Sequence, residues 1–219
     1  MRLSLIIIFL SIVFSSCVKN KEKNFVDARD SFVGITIEEN ITICDGDGCF
    51  QRKFNSASSG VVIMFNGEKV VLTAAHSCAP KDLSSLENLV DGEIKIKTNL
   101  FGYDIHKMKH VFEIEKIDKG EDICILKADT LWQNAVPISR KKPAYNEELY
   151  NFSAPHGIFT NHMVPLLTGY YVGEKEGMSA YTIPSAPGSS GSMILKNRQG
   201  RRYLYFKSRY SLAKCSTNI

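Results

Sequence analysis

Short apolar runs, separated by polar turn signals, follow one another along the chain from residue 32 onward. Runs of this length and spacing are typical of β-strands, and Asn66-Gly67 between two of them favours a hairpin turn. Helical periodicity is weak, and only residues 81–90 are compatible with a short helix. The pattern therefore predicts an all-β sandwich or barrel. The runs are residues 32–37, 41–44, 60–65, 70–74, 94–98, 111–117, 123–126, 166–172, 192–195 and 203–207.

The N-terminus carries a different pattern, an apolar run over residues 3–14 that follows Arg2 and ends in two serines. This run is shorter than the roughly 20 residues of a membrane-spanning helix, so it predicts an export signal. The Phe-Ser-Ser-Cys sequence that ends at Cys17 resembles the bacterial lipoprotein box, in which the cysteine is lipidated after cleavage. We expect residues 1–16 to be the signal peptide, Cys17 the lipidated N-terminus and residues 17–31 a polar tether. An uncleaved anchor or plain secretion is the alternative.

Composition is that of an ordinary globular protein, with 44% hydrophobic and 23% charged residues. These values exclude a disordered, fibrous or multi-span membrane protein. The formal net charge of +4 is too small to indicate nucleic-acid binding by itself. Seven of the basic residues and no acid lie between Lys196 and Ile219, and we interpret this segment as a solvated face.

Cysteine use fits an exported protein. Five cysteines remain after Cys17, so at least one of them has no partner within the chain. Cys44 and Cys49 flank an Asp-Gly-Asp-Gly turn, which predicts a disulfide across a hairpin. Cys124 lies in an apolar run, and we expect it simply to be buried.

Three segments carry residue types that suit nucleophilic catalysis. His76 follows an apolar run at a corner made of small residues, Asp122 directly precedes another run, and Ser190 lies in a Gly/Ser-rich loop. Each alone has a plainer interpretation, namely a structural histidine, an isolated acid and a flexible turn. A buried carboxylate needs a partner that offsets its desolvation, however, and an imidazole N–H is such a partner.

Taken in order, these segments resemble the motifs of the trypsin/chymotrypsin-like serine protease family. Thr-Ala-Ala-His at residues 73–76 matches the motif around the family's histidine, and Gly-x-Ser-Gly at residues 188–191 matches the motif around its serine. Asp122 begins a run of the Asp-Ile-x-x-Leu type that the family places at its acid. The separation of 46 residues from histidine to acid is typical of the family, and the separation of 68 from acid to serine is short, as in compact bacterial and viral members. The resemblance extends over about residues 32–212.

The resemblance implies an all-β fold of two six-stranded antiparallel β-barrels over residues 32–219, with the active site in the cleft between them. It implies that Ser190 is the nucleophile, that His76 is the general base and that Asp122 orients the imidazole. The backbone N–H groups of Gly188 and Ser190 would form the oxyanion hole. No metal or organic cofactor is expected.

Two departures from the family pattern alter these expectations. Ser189 stands where many animal members carry an aspartate that pairs with a newly cleaved N-terminus, so we expect no activation by such a cleavage. Cys78 lies one position beyond the family's usual disulfide cysteine. We expect this disulfide to be absent, or re-paired with Cys44 or Cys49.

The family pattern also places three residues at the substrate-binding pocket. Pro184 would stand at its base, where it offers no acid to a lysine or arginine side chain of the substrate. Ser208 would line the backbone that pairs with the substrate, and Tyr210 would narrow the pocket. No metal-ligand spacing links the remaining histidines, which we expect at the surface or in turns: His106, His110, His156 and His162.

These expectations combine into a monomeric serine endopeptidase that is lipid-anchored to a bacterial membrane outside the cytoplasm. It would act on protein or peptide substrates and bind no nucleic acid. The alternative is a catalytically inactive, protease-like binding lipoprotein with a closed cleft. An esterase with the same triad is disfavoured, because the α/β-hydrolase order places the serine before the histidine.

Overall fold

The computed structural model describes residues 28–45, 48–79, 93–139, 141–161, 163–175, 178–198 and 201–205. The first of its two sheets has the order β5-β4-β1-β2-β3-β7-β6 and contains β1 (Phe32–Asp45), β2 (Gly48–Phe65), β3 (Glu68–Thr73), β4 (Glu93–Asp104), β5 (Lys109–Val111), β6 (Glu113–Asp118) and β7 (Ile123–Lys127). The second has the order β11-β10-β9-β12-β13-β8 and contains β8 (Ile138–Ser139), β9 (Glu148–Phe152), β10 (Leu166–Lys175), β11 (Met178–Tyr181), β12 (Met193–Arg198) and β13 (Arg201–Tyr205). Two short 3-10 turns, Ala75–Ser77 and Pro155–Gly157, follow β3 and β9.

Neighbouring strands are antiparallel, apart from a short parallel pairing of β13 with β8. Both sheets curl, and together they form the all-β double barrel that the sequence predicts. In the described residues the first sheet has seven strands rather than six. The additional strand arises because the chain folds back after β4 and pairs β5 with the end of that strand.

The apolar runs are continuous because strand side chains alternate between two apolar clusters. Val61 of β2 lies in a cluster that joins the two sheets and also contains Phe152 of β9 and Leu195 of β12. Its neighbour Val62 lies in a second cluster, built from the first sheet and its connections. Each fully buried valine, leucine or phenylalanine contributes about 1.5–3 kcal/mol. The first sheet is therefore stabilised on both faces where it meets the second.

The folded body begins before β1. Ala28 is 4% exposed and packs in the cluster that joins the two sheets. Ser31 is also buried: its hydroxyl donates to the Asn134 carbonyl, and its own carbonyl accepts the Val62 N–H at 2.8 Å. Residues 28–31, which the sequence assigned to the tether, therefore pack as part of the folded domain.

Two disulfides join cysteines in the described part of the chain. Cys44 and Cys49 are linked across the β1–β2 hairpin, where the turn sequence placed them. Cys78 is linked to Cys124, 46 residues further along the chain. The expectations for this second pair were wrong, since Cys78 neither lacks a partner nor pairs with the hairpin cysteines, and Cys124 is not simply buried. The physical reason is the pairing of β3 with β7, which sets Thr73 opposite Cys124 and so brings Cys78 within reach.

Two polar residues expected at the surface are buried. Lys196 is 3% exposed and its ammonium group donates to the Lys141 carbonyl, so the predicted solvated face does not include this residue. His110 is 5% exposed, and its ring nitrogens lie 3.3 Å from the Asp104 carboxylate and 3.0 Å from the Thr130 carbonyl. In both cases a polar partner from another segment makes burial tolerable.

The prediction of membrane attachment rests on residues outside the described part of the chain. These are the signal peptide over residues 1–16, Cys17, and the tether up to residue 27. Among the residues that the structure describes, no helix has the length and hydropathy needed to cross a membrane. Lipid attachment at Cys17 stays a prediction.

Candidate active site

His76 lies on a tight turn that directly follows β3. The turn Ala75–Ser77 is closed by backbone hydrogen bonds that the Ser77 and Cys78 N–H groups donate, at 3.1 and 2.9 Å. The two alanines before the histidine are buried, whereas 59% of its own side-chain surface is exposed. Small side chains on the buried side therefore let the chain turn sharply and present the imidazole at the surface.

Asp122 closes the turn between β6 and β7, with a positive φ of 54°. Aspartate is among the side chains that adopt this conformation most readily. Because Thr73 at the end of β3 pairs with Cys124 in β7, Asp122 lies beside the turn that carries His76. The Cys78–Cys124 disulfide joins the same two segments, two residues beyond each of these side chains.

Three side chains meet at this end of the first sheet. The His76 Nδ1 lies 3.0 and 2.9 Å from the two carboxylate oxygens of Asp122. The His76 Nε2 lies 2.8 Å from the Ser190 Oγ. An ionised carboxylate only accepts hydrogen bonds, so Nδ1 carries the proton and Nε2 is left to accept the serine hydroxyl. The structure thus brings together the three side chains that the sequence motifs singled out.

The environment of Asp122 differs from the expectation of a buried carboxylate. Its side chain is 54% exposed, because it lies on the turn before β7 and not within the strand. Two groups of His76 fix the orientation of this carboxylate, because Oδ1 accepts the His76 backbone N–H at 2.9 Å in addition to the contacts with Nδ1.

The turn that carries the nucleophile candidate lies between β11 and β12, and hydrogen bonds fix two of its peptide planes. The Pro187 carbonyl accepts the His156 N–H, and the Ser189 carbonyl accepts the Ser192 N–H at 3.1 Å. In a trans peptide the C=O and N–H point in opposite directions. The N–H groups of Gly188 and Ser190 therefore point away from these partners, and neither has an acceptor among the described residues.

Glycine at position 188 is what allows this turn to close. Its φ is 93°, and a Cβ there would lie 2.4 Å from the Ala154 carbonyl oxygen and 2.9 Å from the Gly157 nitrogen. A residue with a side chain would be strained by this φ and would displace the turn at Pro155–Gly157.

Two buried serines of β2 hold the nucleophile turn from the first sheet. The Ser59 hydroxyl donates to the Gly188 carbonyl at 2.8 Å and accepts the Ala154 N–H at 3.0 Å. The Ser190 carbonyl accepts both the Ser59 N–H and the Ser58 hydroxyl, each at 2.8 Å. Sequence reasoning missed this role. The available signal was the cluster of serines directly before the apolar part of β2.

Of the three neighbouring serines in the turn, the structure places only Ser190 on the imidazole. Ser189 is 8% exposed, and its hydroxyl lies 3.4 Å from the Ala186 N–H. The Ser192 hydroxyl accepts the side-chain amide of Asn151 at 2.7 Å. The two competing hydroxyls are thus engaged elsewhere.

The predicted substrate pocket is described only at Pro184, which is exposed on the segment that leads from β11 to the serine turn. Ser208 and Tyr210 lie outside the described residues, so their roles stay predictions. Among the side chains that the structure describes, no group of three or more His, Cys, Asp or Glu is arranged to hold a metal ion.

No protein-family model matches the chain, and no curated protein matches it. Solved structures do match. A structure of the HtrA-type protease AlgW with a tripeptide has a TM-score of 0.54 and 13% identity, covering 80% of this chain and 50% of that one. An AlgW variant with a decapeptide has a TM-score of 0.57 and 12% identity, covering 80% of this chain and 54% of that one. This chain spans about half the length of these proteins, and the likeness shows that it has their chymotrypsin-like fold.

Proposed function

We propose that this protein is a serine endopeptidase that hydrolyses peptide bonds through an acyl-enzyme intermediate. The observation that carries the proposal is the continuous set of contacts from the Asp122 carboxylate through the His76 imidazole to the Ser190 hydroxyl. The fold supports the proposal, because structures of the HtrA-type protease AlgW, which share this fold, were determined with a decapeptide or a tripeptide.

Acylation needs a nucleophile and a base at hydrogen-bond distance, and the 2.8 Å between Ser190 Oγ and His76 Nε2 meets that requirement. Ser190 Oγ attacks the scissile carbonyl carbon while Nε2 takes its proton. The imidazolium then returns the proton to the leaving amine as the C–N bond breaks. Asp122 holds the productive tautomer and stabilises the imidazolium through Nδ1. Water, activated by the same imidazole, hydrolyses the acyl-enzyme.

The negative charge on the tetrahedral intermediate needs donors that are in place before the reaction starts. The Gly188 and Ser190 N–H groups suit this role, since hydrogen bonds to Pro187 and Ser189 fix their peptide planes. In related chemistry one such donor lowers the barrier by roughly 3 kcal/mol. The fully buried Ser59 supports these donors, because its hydroxyl donates a hydrogen bond to the Gly188 carbonyl and so fixes the peptide between them.

Local bonds support a site that forms on folding, without an activating cleavage. The Ser189 N–H donates to the Ala186 carbonyl at 3.0 Å, so the turn closes on its own backbone. Ser189 carries no charge that would require a new N-terminal amine as a partner.

An extracytoplasmic, lipid-anchored location completes the proposal. The Cys44–Cys49 and Cys78–Cys124 disulfides are compatible with an oxidising compartment. They agree with the signal peptide and the lipidated Cys17 that the sequence predicts.

The test is hydrolysis of a reduced and alkylated protein by the full chain in detergent. We expect fragments with new amino termini from the wild type and a loss of kcat on the order of 10⁶-fold in Ser190→Ala. Thr168→Ala, which removes an exposed hydroxyl on β10, serves as the control and should cleave normally. If Ser190→Ala keeps more than about a hundredth of the activity, the nucleophile assignment is wrong. A folded wild type with no activity would favour the protease-like binding lipoprotein.

A further inference from the structure

The segments that carry His76 and Asp122 are both attached to one residue, Cys124 of β7. The backbone of Cys124 pairs with Thr73, the last residue of β3, and its sulfur is bonded to Cys78, which ends the short turn after β3. The residues between Thr73 and Cys78 therefore form a small loop whose two ends are held at Cys124. His76 lies within this loop, and Asp122 lies two residues before Cys124 in the chain.

Cys124 is suited to hold both segments because its own position is fixed. It is fully buried, and β7 lies between β3 and β6, so Cys124 pairs with Ile117 on one side as well as with Thr73 on the other. Cys78 is also buried and packs in the same apolar cluster. The disulfide therefore joins the end of the histidine turn to a strand that is held on both sides.

The contact between His76 and Asp122 contributes little rigidity of its own. Their side chains are 59% and 54% exposed, and exposed ion pairs add little to stability. The pairing of β3 with β7 ends at Thr73, three residues before His76. Asp122 has a positive φ of 54°, a sparsely populated conformation that persists where the surrounding structure holds it. Beyond the end of the strand pairing, the covalent link is the stronger constraint on how the two segments lie.

We infer that Cys78 and Cys124 are positioning residues, whose disulfide keeps the Asp122 carboxylate in contact with His76 Nδ1. The inference rests on the proposed endopeptidase function and names how that site is regulated: the oxidised chain is the active form. A displacement of about 1 Å at a catalytic group can lower a rate about 100-fold. Without the contact to Asp122, the imidazole is also free to take the tautomer that cannot accept the Ser190 proton. The reduced chain thus carries the same three side chains, but they are aligned less of the time.

Formation of the bond is a two-electron oxidation. The two thiols lose two electrons and two protons to a disulfide-containing oxidant, which leaves as two thiols, and one S–S bond replaces two S–H bonds. Oxidants of this class act outside the cytoplasm, whereas the cytoplasm keeps thiols reduced. Because both sulfur-bearing side chains are buried in the folded protein, the bond forms during folding. Together with the predicted export signal, this couples activity to the compartment in which the chain oxidises.

Two double variants separate this bond from the other disulfide. Cys78→Ala/Cys124→Ala removes it, whereas Cys44→Ala/Cys49→Ala removes the disulfide of the β1–β2 hairpin, about 30 Å along β2 from the serine turn at the usual rise of a strand. Both are compared with the full wild-type chain in detergent, under conditions where circular dichroism shows each protein folded. The substrate is a synthetic peptide that spans a bond cut in alkylated protein. We expect kcat to fall about 10- to 100-fold in the first variant with KM nearly unchanged, and both constants to match the wild type in the second.

A purely structural role would lower the free energy of unfolding and leave kcat of the folded protein unchanged, so two further signals are recorded. The rate of Ser190 labelling by a fluorophosphonate needs the aligned imidazole but no substrate, and we expect it to fall by the same factor as kcat. The His76 Nδ1 proton should give an NMR resonance in the wild type, because its hydrogen bond to Asp122 slows exchange with water. We expect Cys78→Ala/Cys124→Ala to broaden or lose this resonance and the hairpin variant to keep it.

A second variant and a second route keep the test valid if the alanine pair does not fold. Cys78→Ala/Cys124→Val refills part of the buried volume with a side chain that favours a strand, but it restores no covalent link. We expect it to be more stable than the alanine pair and to show the same loss of kcat. Wild-type chain refolded with dithiothreitol and then treated with oxidised glutathione should gain kcat in step with formation of the Cys78–Cys124 bond, followed by mass spectrometry.

Two results would overturn the inference while leaving the proposed function intact. One is a folded variant without the Cys78–Cys124 bond that keeps the wild-type kcat, labelling rate and Nδ1 resonance. The other is an equal loss of kcat in the hairpin variant, which would make the effect a general one of disulfide removal. Absence of Ser190 labelling in the oxidised, folded wild type would instead contradict the proposed function itself.

Discussion

Replacement of Ser59 by alanine should weaken both the fold and the catalytic turn. Ser59 is 0% exposed, and its hydroxyl is the hydrogen-bond partner of the Gly188 carbonyl and of the Ala154 N–H. A buried polar group left without its partner costs about 1–3 kcal/mol, so two such groups cost about 2–6 kcal/mol. We expect the free energy of unfolding, measured by urea denaturation with far-UV circular dichroism, to fall within that range.

Ser58→Ala is the matched control for this change. The Ser190 carbonyl that accepts the Ser58 hydroxyl keeps the Ser59 N–H as a second donor at 2.8 Å, whereas the Ser77 hydroxyl, 2.8 Å from that of Ser58, loses this hydrogen bond. One polar group instead of two therefore loses its partner. We expect Ser58→Ala to destabilise the protein by less than Ser59→Ala.

The catalytic effect should appear in kcat rather than KM. Gly188 and Ser190 supply the proposed oxyanion donors, and Ser59 holds the peptide that lies between Gly188 and Ser189. Loosening this peptide weakens an interaction made chiefly in the transition state, so we expect kcat to fall about 10- to 100-fold with KM nearly unchanged. If the free energy of unfolding of Ser59→Ala lies within about 0.5 kcal/mol of the wild-type value and its kcat is unchanged, the reasoning about this contact is refuted.

The remaining predictions concern the disulfides, the nucleophile turn and the β1–β2 hairpin. Cys124→Ala should lower the free energy of unfolding by about 4 kcal/mol and Cys49→Ala by about 2, because Cys78–Cys124 closes a longer loop than Cys44–Cys49. Urea denaturation of each variant measures this difference, and the reverse order would contradict it. Gly191→Ala should destabilise by more than about 2 kcal/mol on the same measurement, since its φ is 74° and its Cβ would lie 2.1 Å from a buried threonine hydroxyl. The Lys53 side chain is the largest cause of the lowered pKa of Glu38, so Lys53→Met should raise that pKa toward its ordinary value in an NMR titration.

The local motifs could be predicted from the sequence because each depends on a few adjacent residues. The turn around Ser190 requires glycines at positions 188 and 191, whose φ values of 93° and 74° side chains rarely adopt, and small residues favour the sharp turn at His76. The strand pattern was readable for the same reason, since apolar runs buried on both faces stay apolar throughout.

Features that depend on register between distant segments could not be predicted. The Cys78–Cys124 disulfide follows from the alignment of β3 with β7, which neither strand's sequence states. Strand β1 is continuous from Phe32 to Asp45, although polar residues at 38–40 separate two apolar runs. Glu39 is buried and its two neighbours are partly buried, and β1 pairs with both β2 and β4 through all three, so their presence does not end the strand.

Buried polar side chains were missed because their partners come from elsewhere in the chain. Lys196 is buried against a carbonyl at Lys141, and the Ser59 hydroxyl is satisfied by groups more than 90 residues away. From the sequence alone a lysine or serine beside an apolar run looks like its solvent-exposed end.

Mapping the adduct of a fluorophosphonate probe on the folded full chain tests the central claim most directly. An activated serine reacts whatever the substrate preference, so the result does not depend on the pocket. We predict a stoichiometric adduct on Ser190, located by mass spectrometry, that is lost in His76→Ala and unchanged in Thr168→Ala. Absence of an adduct on folded wild-type protein, or an adduct on Ser189 or Ser192, would contradict the account.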